Sequence, residues 1–167
     1  MISSQIAGSG KVAYIVSTNL NRKENSMATE ENKALVRRLI EEAWNKGNLA
    51  VIDELLSPDY VLHFAAPGAT PDREGYKQAV SMHHTAFADF RLTIEDMVAE
   101  GDKVVIRWTI RGTHKGEYIG IAATGKEVTM TGISIRRIEG GKIMEEWLES
   151  DMLGLMQQMG VVPSPGQ

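Results

Sequence analysis

Residues 91–111, RLTIEDMVAEGDKVVIRWTIR, hold two runs in which apolar and polar side chains alternate, 91–99 and 103–111, joined by Glu100-Gly101-Asp102. A period of two sends successive side chains to opposite faces of a strand. A short acidic link around one glycine suits a tight hairpin turn. In the second run Ile106, Trp108 and Ile110 share one face, and Arg107, Thr109 and Arg111 share the other. Downstream the pattern repeats: residues 127–138 and 142–150 alternate across Glu139-Gly140-Gly141. Four β segments in antiparallel sequence follow from this.

Upstream the period lengthens. From Thr29, the apolar residues Val36, Leu39, Ile40, Ala43 and Trp44 recur at helical steps, with Thr29 as a candidate cap and Gly47 as the stop. A short second helix over 48–56 and a third over 73–87 follow, the latter carrying Tyr76, Ala79, Val80, His83 and Phe87 on one stripe. Between them 59–64 alternates like a short strand, and a last helix begins near Asp151. Helices followed by antiparallel strands predict an α+β domain in which a strongly curved, mostly antiparallel sheet wraps around the N-terminal helices. A sheet that curls in this way encloses a cone with a pocket.

The 167 residues suit one domain. Residues 1–26 are rich in Ser, Asn and Gly and read as a loosely ordered extension, 27–160 as the domain, and 161–167 as a tail. The formal charge is −4 with the basic residues scattered, so there is no basic stripe for nucleic acid and no polybasic membrane anchor. No apolar run approaches the roughly 20 residues that span a bilayer. The absence of cysteine excludes disulfides and thiolate zinc sites and suits a cytoplasmic location.

Candidate chemistry centres on EEWLESD, residues 145–151. Strand parity puts Glu145, Trp147, Glu149 and Asp151 on one face and Glu146, Leu148 and Ser150 on the other. Asp151 is also placed to cap the following helix, a role its two oxygens allow it to combine with chemistry. The histidines are His63 in the first strand, His114 after the 103–111 strand, and His83 on the apolar stripe of the third helix, where a satisfied core role is the simpler reading; His84 beside it points outward. No spacing of a metal site, nucleophile elbow, Walker loop or dinucleotide fingerprint is present.

Reading from Asn32, the chain resembles the SnoaL-like polyketide cyclase (ester cyclase) family within the nuclear transport factor 2-like α+β barrels. The resemblance is carried by SPDYVLHF (57–64), EGDKVVIRWTIRGTHKGEYIGIAATGK (100–126), GGKIMEEWLESD (140–151) and GLMQQMG (154–160). It implies a cone-shaped barrel whose pocket takes a small hydrophobic molecule, pairing of two copies through their sheets as a homodimer, and intramolecular aldol ring closure without metal or organic cofactor. By its W-x-x-x-D context, Asp151 corresponds to the aspartate that moves the proton. His63 and His114 are then expected as oxyanion donors or orienting partners. Trp147, Trp108, Phe64, His83, Tyr118 and Glu149 are expected to line the pocket, with that face of the last strand turned inward and Glu145 and Glu146 toward solvent or a dimer surface. Glu149 is a departure, because these cyclases place a histidine beside the aspartate.

Two other functions fit the same barrel. One is epoxide-hydrolase-like activation of water, for which Arg107 or Arg111 would have to serve with Glu149 or Asp151. The other is a non-catalytic dimeric module that binds a small apolar ligand.

Overall fold

The computed structural model describes residues 25–63 and 70–163. Phe64, most of the extension, most of the loop that follows Phe64, and the last four tail residues lie outside the described residues. The first helix, α1, spans residues 25–45 and passes through Ser26 and Met27 without a break; its last turns, Leu39–Asn45, widen to π geometry. Thr29 does not cap it, because its hydroxyl donates to the Ser26 carbonyl inside the helix (2.9 Å). Val36, Leu39, Ile40 and Ala43 are buried as the periodicity predicts, and Gly47 ends the segment with φ +70°.

Helix α2 (Ala50–Leu55) leads directly into strand β1 (Leu56–His63). Pro58 is tolerated in this strand because β1 lies at the edge of the sheet. Helix α3 (Arg73–Ala86) is capped by Asp72, whose carboxylate accepts from the Gly75 amide at 2.8 Å. Four strands follow: β2 (Phe87–Glu100), β3 (Lys103–His114), β4 (Glu127–Glu139) and β5 (Lys142–Ser150). Phe87 thus opens β2 instead of closing α3. Helix α4 (Met152–Met159) completes the described chain.

The sheet order is β1-β5-β4-β3-β2, with β1 parallel to β5 and every other pair antiparallel. Val104, Ile106, Trp108, Ile110 and His114 of β3, with Val128, Met130, Ser134, Arg136 and Ile138 of β4, are all buried. They form the concave face, against which α1, α2 and α3 pack. Each large aliphatic side chain taken fully from water there contributes about 1.5–3 kcal/mol. The helices therefore settle on this face and leave the other outward.

Three bulges bend the antiparallel part of the sheet, and β1 is irregular as well, advancing from Leu56 to Val61 while β5 advances from Ile143 to Glu145. Between Ile94 and Asp96 the partners advance by only one residue, from Trp108 to Arg107, so Glu95 is extra. Near the start of β2 a second extra residue coincides with Asp89 in the left-handed region, φ 53°. The third is in β5: Ile138 pairs with Ile143 and Arg137 with Glu145, which leaves Met144 unpaired. A bulge reverses which residues face inward beyond it.

Two carboxamides finish the strand edges. Asn45 accepts from the Leu92 amide (2.8 Å) and donates to its carbonyl (3.1 Å) on the edge strand β2. Gln158 of α4 does the same for Thr129 (2.8 and 2.7 Å), where β4 runs beyond the end of β5. Each side chain stands in for a missing strand neighbour, which blocks edge-to-edge pairing. The second glutamine of GLMQQMG thus fastens α4 to the sheet.

Candidate functional site

The interior of the cone carries a line of rings between the helices and the sheet. Tyr60 meets Tyr76 edge-on at 5.7 Å, Tyr76 meets Trp44 at 5.8 Å, and Trp44 meets His83 at 5.2 Å. His83 then contacts Tyr118 (5.2 Å) and Phe87 (6.0 Å), and Phe87 leads to His114 at 5.5 Å. Polar groups are set into this line at three points.

At the β1 end sits an ion pair from which water is excluded. Arg136 of β4 donates through Nη2 to Glu146 Oε1 at 2.6 Å, and both residues are 3% exposed. The Tyr60 hydroxyl donates to Glu146 Oε2 at 3.1 Å, and Trp44 Nε1 donates to the Tyr76 hydroxyl at 2.7 Å. Burial alone would weaken the charge on Arg136, but Glu146 opposite holds the guanidinium protonated above its ordinary range. Burial, with the Glu146 charge nearby, pushes both Tyr60 and Tyr76 well above the usual phenol value, so both stay neutral donors.

In the middle, His83 Nδ1 donates to the Ala79 carbonyl at 2.8 Å, which leaves Nε2 to accept from the Tyr118 hydroxyl at 3.2 Å. Burial pushes the His83 pKa down and the Tyr118 pKa up to about 12. At the far end His114 is fully buried, and its Nδ1 accepts from the Thr124 hydroxyl at 3.0 Å. The Thr124 amide, which donates to the same Nδ1 at 3.4 Å, assigns the ring proton to Nε2, which has no partner among the described residues.

The face of β5 expected to turn inward turns outward. Beyond the Met144 bulge, Glu146 is the buried acid, whereas Glu149 is exposed and lies opposite the exposed Ile133. Glu146 is thus not at solvent as expected, and the bulge is the physical reason. Trp147 and His63 also lie on the convex face, with their rings stacked at 4.6 Å and 8°. His63 Nε2 is 2.9 Å from Glu145, which Arg137 Nη2 also holds at 2.6 Å. The His63 and Arg137 hydrogen bonds keep the Glu145 carboxyl below its ordinary value. His63, Trp147 and Glu149 are therefore separated by the sheet from His83, His114, Tyr118 and Trp108, which face inward. Trp108 donates to Ser134 Oγ at 3.0 Å and lies across Gly132, where any Cβ would collide with its ring and with the Glu149 carbonyl.

Asp151 is exposed and caps α4, accepting from the Gly154 amide at 2.8 Å. A Cβ at residue 154 would strike this carboxylate, so the glycine is what lets it sit on the helix end. Arg107 and Arg111 are exposed on the convex face, Arg107 paired with Asp96 at 2.6 Å. They do not form the Asp-Arg-Asp arrangement that water activation on an epoxide needs. His84 is outward, as its position on α3 predicts, and bonds the Trp44 carbonyl at 2.7 Å. Among the described residues no three His, Asp or Glu side chains converge as a metal site, and no helix is long and apolar enough to cross a membrane.

The internal acid had one readable signal. Val128, Met130, Ser134, Arg136 and Ile138 alternate on one face of β4, and a lone arginine in such a face requires a buried acid on a neighbouring strand.

The lowered His83 pKa has a consequence for stability. The unfolded chain binds a proton at this residue near its ordinary value of 6.5, while the folded chain binds it only at lower pH. Stability is therefore full above that value and falls as pH drops through it, since the unfolded state then holds more protons. The urea midpoint of the protein should decrease between pH 6.5 and about 5, and His83→Gln should flatten that slope. An identical slope in the variant contradicts the assignment.

Comparison with known proteins bears on this interior. Residues 34–159 match the SnoaL-like polyketide cyclase family. The aklanonic acid methyl ester cyclase DnrD of Streptomyces peucetius is 31% identical over 134 residues, covering 75% of this chain and 88% of that protein. Among solved structures, TsrD from Streptomyces laurentii superposes with a TM-score of 0.73 at 32% identity, covering 80% of this chain and 97% of its own. IdmH from Streptomyces antibioticus gives 0.67 at 33% identity, covering 77% and 98%. With its helices against the concave face of a curved five-stranded sheet and this match over most of its length, the chain belongs to the SnoaL-like polyketide cyclase family.

Proposed function

We propose that the protein closes a ring in a polyketide-like methyl ester by intramolecular aldol condensation, without a cofactor, and that Asp151 carries the proton. The carrying observation is a contrast between two acids. Glu146 is the one buried carboxylate among the described residues, and it is engaged by both Arg136 and Tyr60. Both of its oxygens are thereby engaged inside the protein. Asp151 has one oxygen fixed on the Gly154 amide and its side chain otherwise open. It follows Ser150 directly, at the end of the strand that carries Glu146.

Aldol closure removes a proton from an activated carbon and delivers one to the carbonyl oxygen that becomes the hydroxyl. One carboxylate serves both steps if the substrate covers it and excludes water. His114 fits the oxyanion role because Thr124 fixes its tautomer with Nε2–H free to donate. The aromatic line holds a flat substrate in one folded conformer, which supplies proximity. The similarity to DnrD, a methyl ester cyclase by name, supports the substrate class.

Asp151→Asn separates the two roles of this residue, because asparagine caps a helix as well as aspartate does. The variant should keep its stability to within about 0.5 kcal/mol and lose roughly 100-fold or more in turnover of an aromatic polyketide methyl ester. Turnover retained in the variant would remove Asp151 from the mechanism. Ligand binding with no turnover by the unaltered protein would favour the binding-module function.

We also infer that two copies pair through the convex face. Val61, Val98, Ile133 and Ile135 are 36–63% exposed there. Sedimentation of the unaltered protein should give a dimer, and Ile135→Glu a folded monomer. A monomer in both cases would sink the pairing.

A further inference from the structure

A groove of about 240 Å³ runs between α1 and the edge of β2. Its helix wall is made by Arg37, Ile40, Glu41 and Asn45, the first three of which share a face at steps of three and four residues. Ile40, Glu41 and Asn45 belong to the widened segment Leu39–Asn45, and π geometry of this kind recurs at functional sites. The opposite wall runs from Arg91 to Ile94. β2 is an edge strand and lies three places from β5 in the sheet, so the groove is remote from the strand end that leads to Asp151.

Charge and size decide what fits. Ile40 and Leu92, 3% and 5% exposed, give the groove an apolar floor. Two guanidiniums and one carboxylate stand around it. Arg91 Nη2 is 3.5 Å from Glu41 Oε2, well beyond the roughly 2.7–2.9 Å of a charge-assisted hydrogen bond. That same oxygen accepts from Asn45 at 3.1 Å, so Arg91 is held only loosely. Arg37 forms no ion pair among the described residues. The lining therefore carries one positive charge in excess. A monoanion balances it, whereas a dianion would leave a net negative charge beside Glu41. The volume falls short of the roughly 300 Å³ at which drug-sized pockets begin, which restricts the occupant to one or two fused rings.

We propose that this groove is a second binding site, which takes a small flat carboxylate with its ring over Ile40 and Leu92 and its charge between Arg37 and Arg91. A guanidinium suits that role because its planar fork matches the two oxygens of a carboxylate and its face stacks on a ring. Asn45 already holds the Leu92 amide and carbonyl, so the two walls are fixed relative to each other before any ligand arrives. The site goes beyond the cyclase reading and does not depend on it.

The test uses three probes of similar shape, naphthoate, naphthamide and naphthyl phosphate, with binding to the full chain measured by calorimetry at neutral pH. Naphthoate should bind about tenfold more tightly than the other two, the effect of one charge-assisted hydrogen bond. It should also shift the backbone amide resonances of Leu92 and Ile94. Arg37 and Arg91 are exposed, so Arg37→Gln and Arg91→Gln leave the core intact, and each should remove most of that tenfold preference. Because the groove is open to solvent, about 0.5 M salt should weaken naphthoate and leave naphthamide unchanged. Equal affinities for naphthoate and naphthamide would mean that the arginines do not hold the ligand, and tightest binding of naphthyl phosphate would mean a dianion site. Naphthoate binding that neither substitution weakens, or that leaves both amides unshifted, would place the ligand elsewhere in the protein. Each of these results, or no binding of naphthoate at all, overturns the proposal. No arm of the test measures turnover, so the cyclase reading stands or falls separately.

Discussion

Placing a guanidinium and a carboxylate inside an apolar cone costs several kcal/mol for each ion unless each meets the other in good geometry. The 2.6 Å contact between Arg136 and Glu146 is that geometry, and much of the interior is arranged around it. It exists because Met144 is extra in β5, which turns Glu146 inward and Glu145 outward. Tyr60 from β1 supplies the second hydrogen bond to the carboxylate. Tyr76 and Trp44 pack beside Tyr60, so α1 and α3 are brought to the same place by the rings that exclude water from the pair.

The sheet thereby divides its polar residues between two faces with different work. Its concave face holds Glu146, Arg136 and His114, each buried, with the Phe87 ring 5.5 Å from that of His114. The convex face carries the exposed ion pairs of Arg107 with Asp96 and of Arg137 with Glu145, together with the stacked His63 and Trp147. Pairs of the second kind contribute little to stability, about 0–1 kcal/mol each.

The fold is legible in the sequence because it depends on periodicity. The alternation in 103–111 and 127–138 and the glycine turns mark β3, β4 and their neighbours, and the helical stripes find the buried residues of α1 and α3. The site is legible only in part. His83 on the α3 stripe and Trp108 and His114 on the uninterrupted even face of β3 are buried; Tyr118 is buried too, but from the loop after β3, where no periodicity marks it. Parity fails in β5, because one unpaired residue exchanges the faces and nothing in GGKIMEEW announces it. Phe87 reads as helical because its spacing continues the α3 stripe; it opens β2 on the same side of the core. Thr29 resembles a cap only for a helix that begins there, and α1 begins earlier.

The coupling of Arg136 to Glu146 organises the interior, and a double-mutant cycle read by urea unfolding tests it most directly. Removing one partner, in Arg136→Met or Glu146→Leu, should cost about 3–5 kcal/mol, since it strands the other charge away from water. The double variant should cost less than either single change, because no buried charge remains. Costs that simply add would show that the two side chains act independently, and the interior described above would then lack its organising contact.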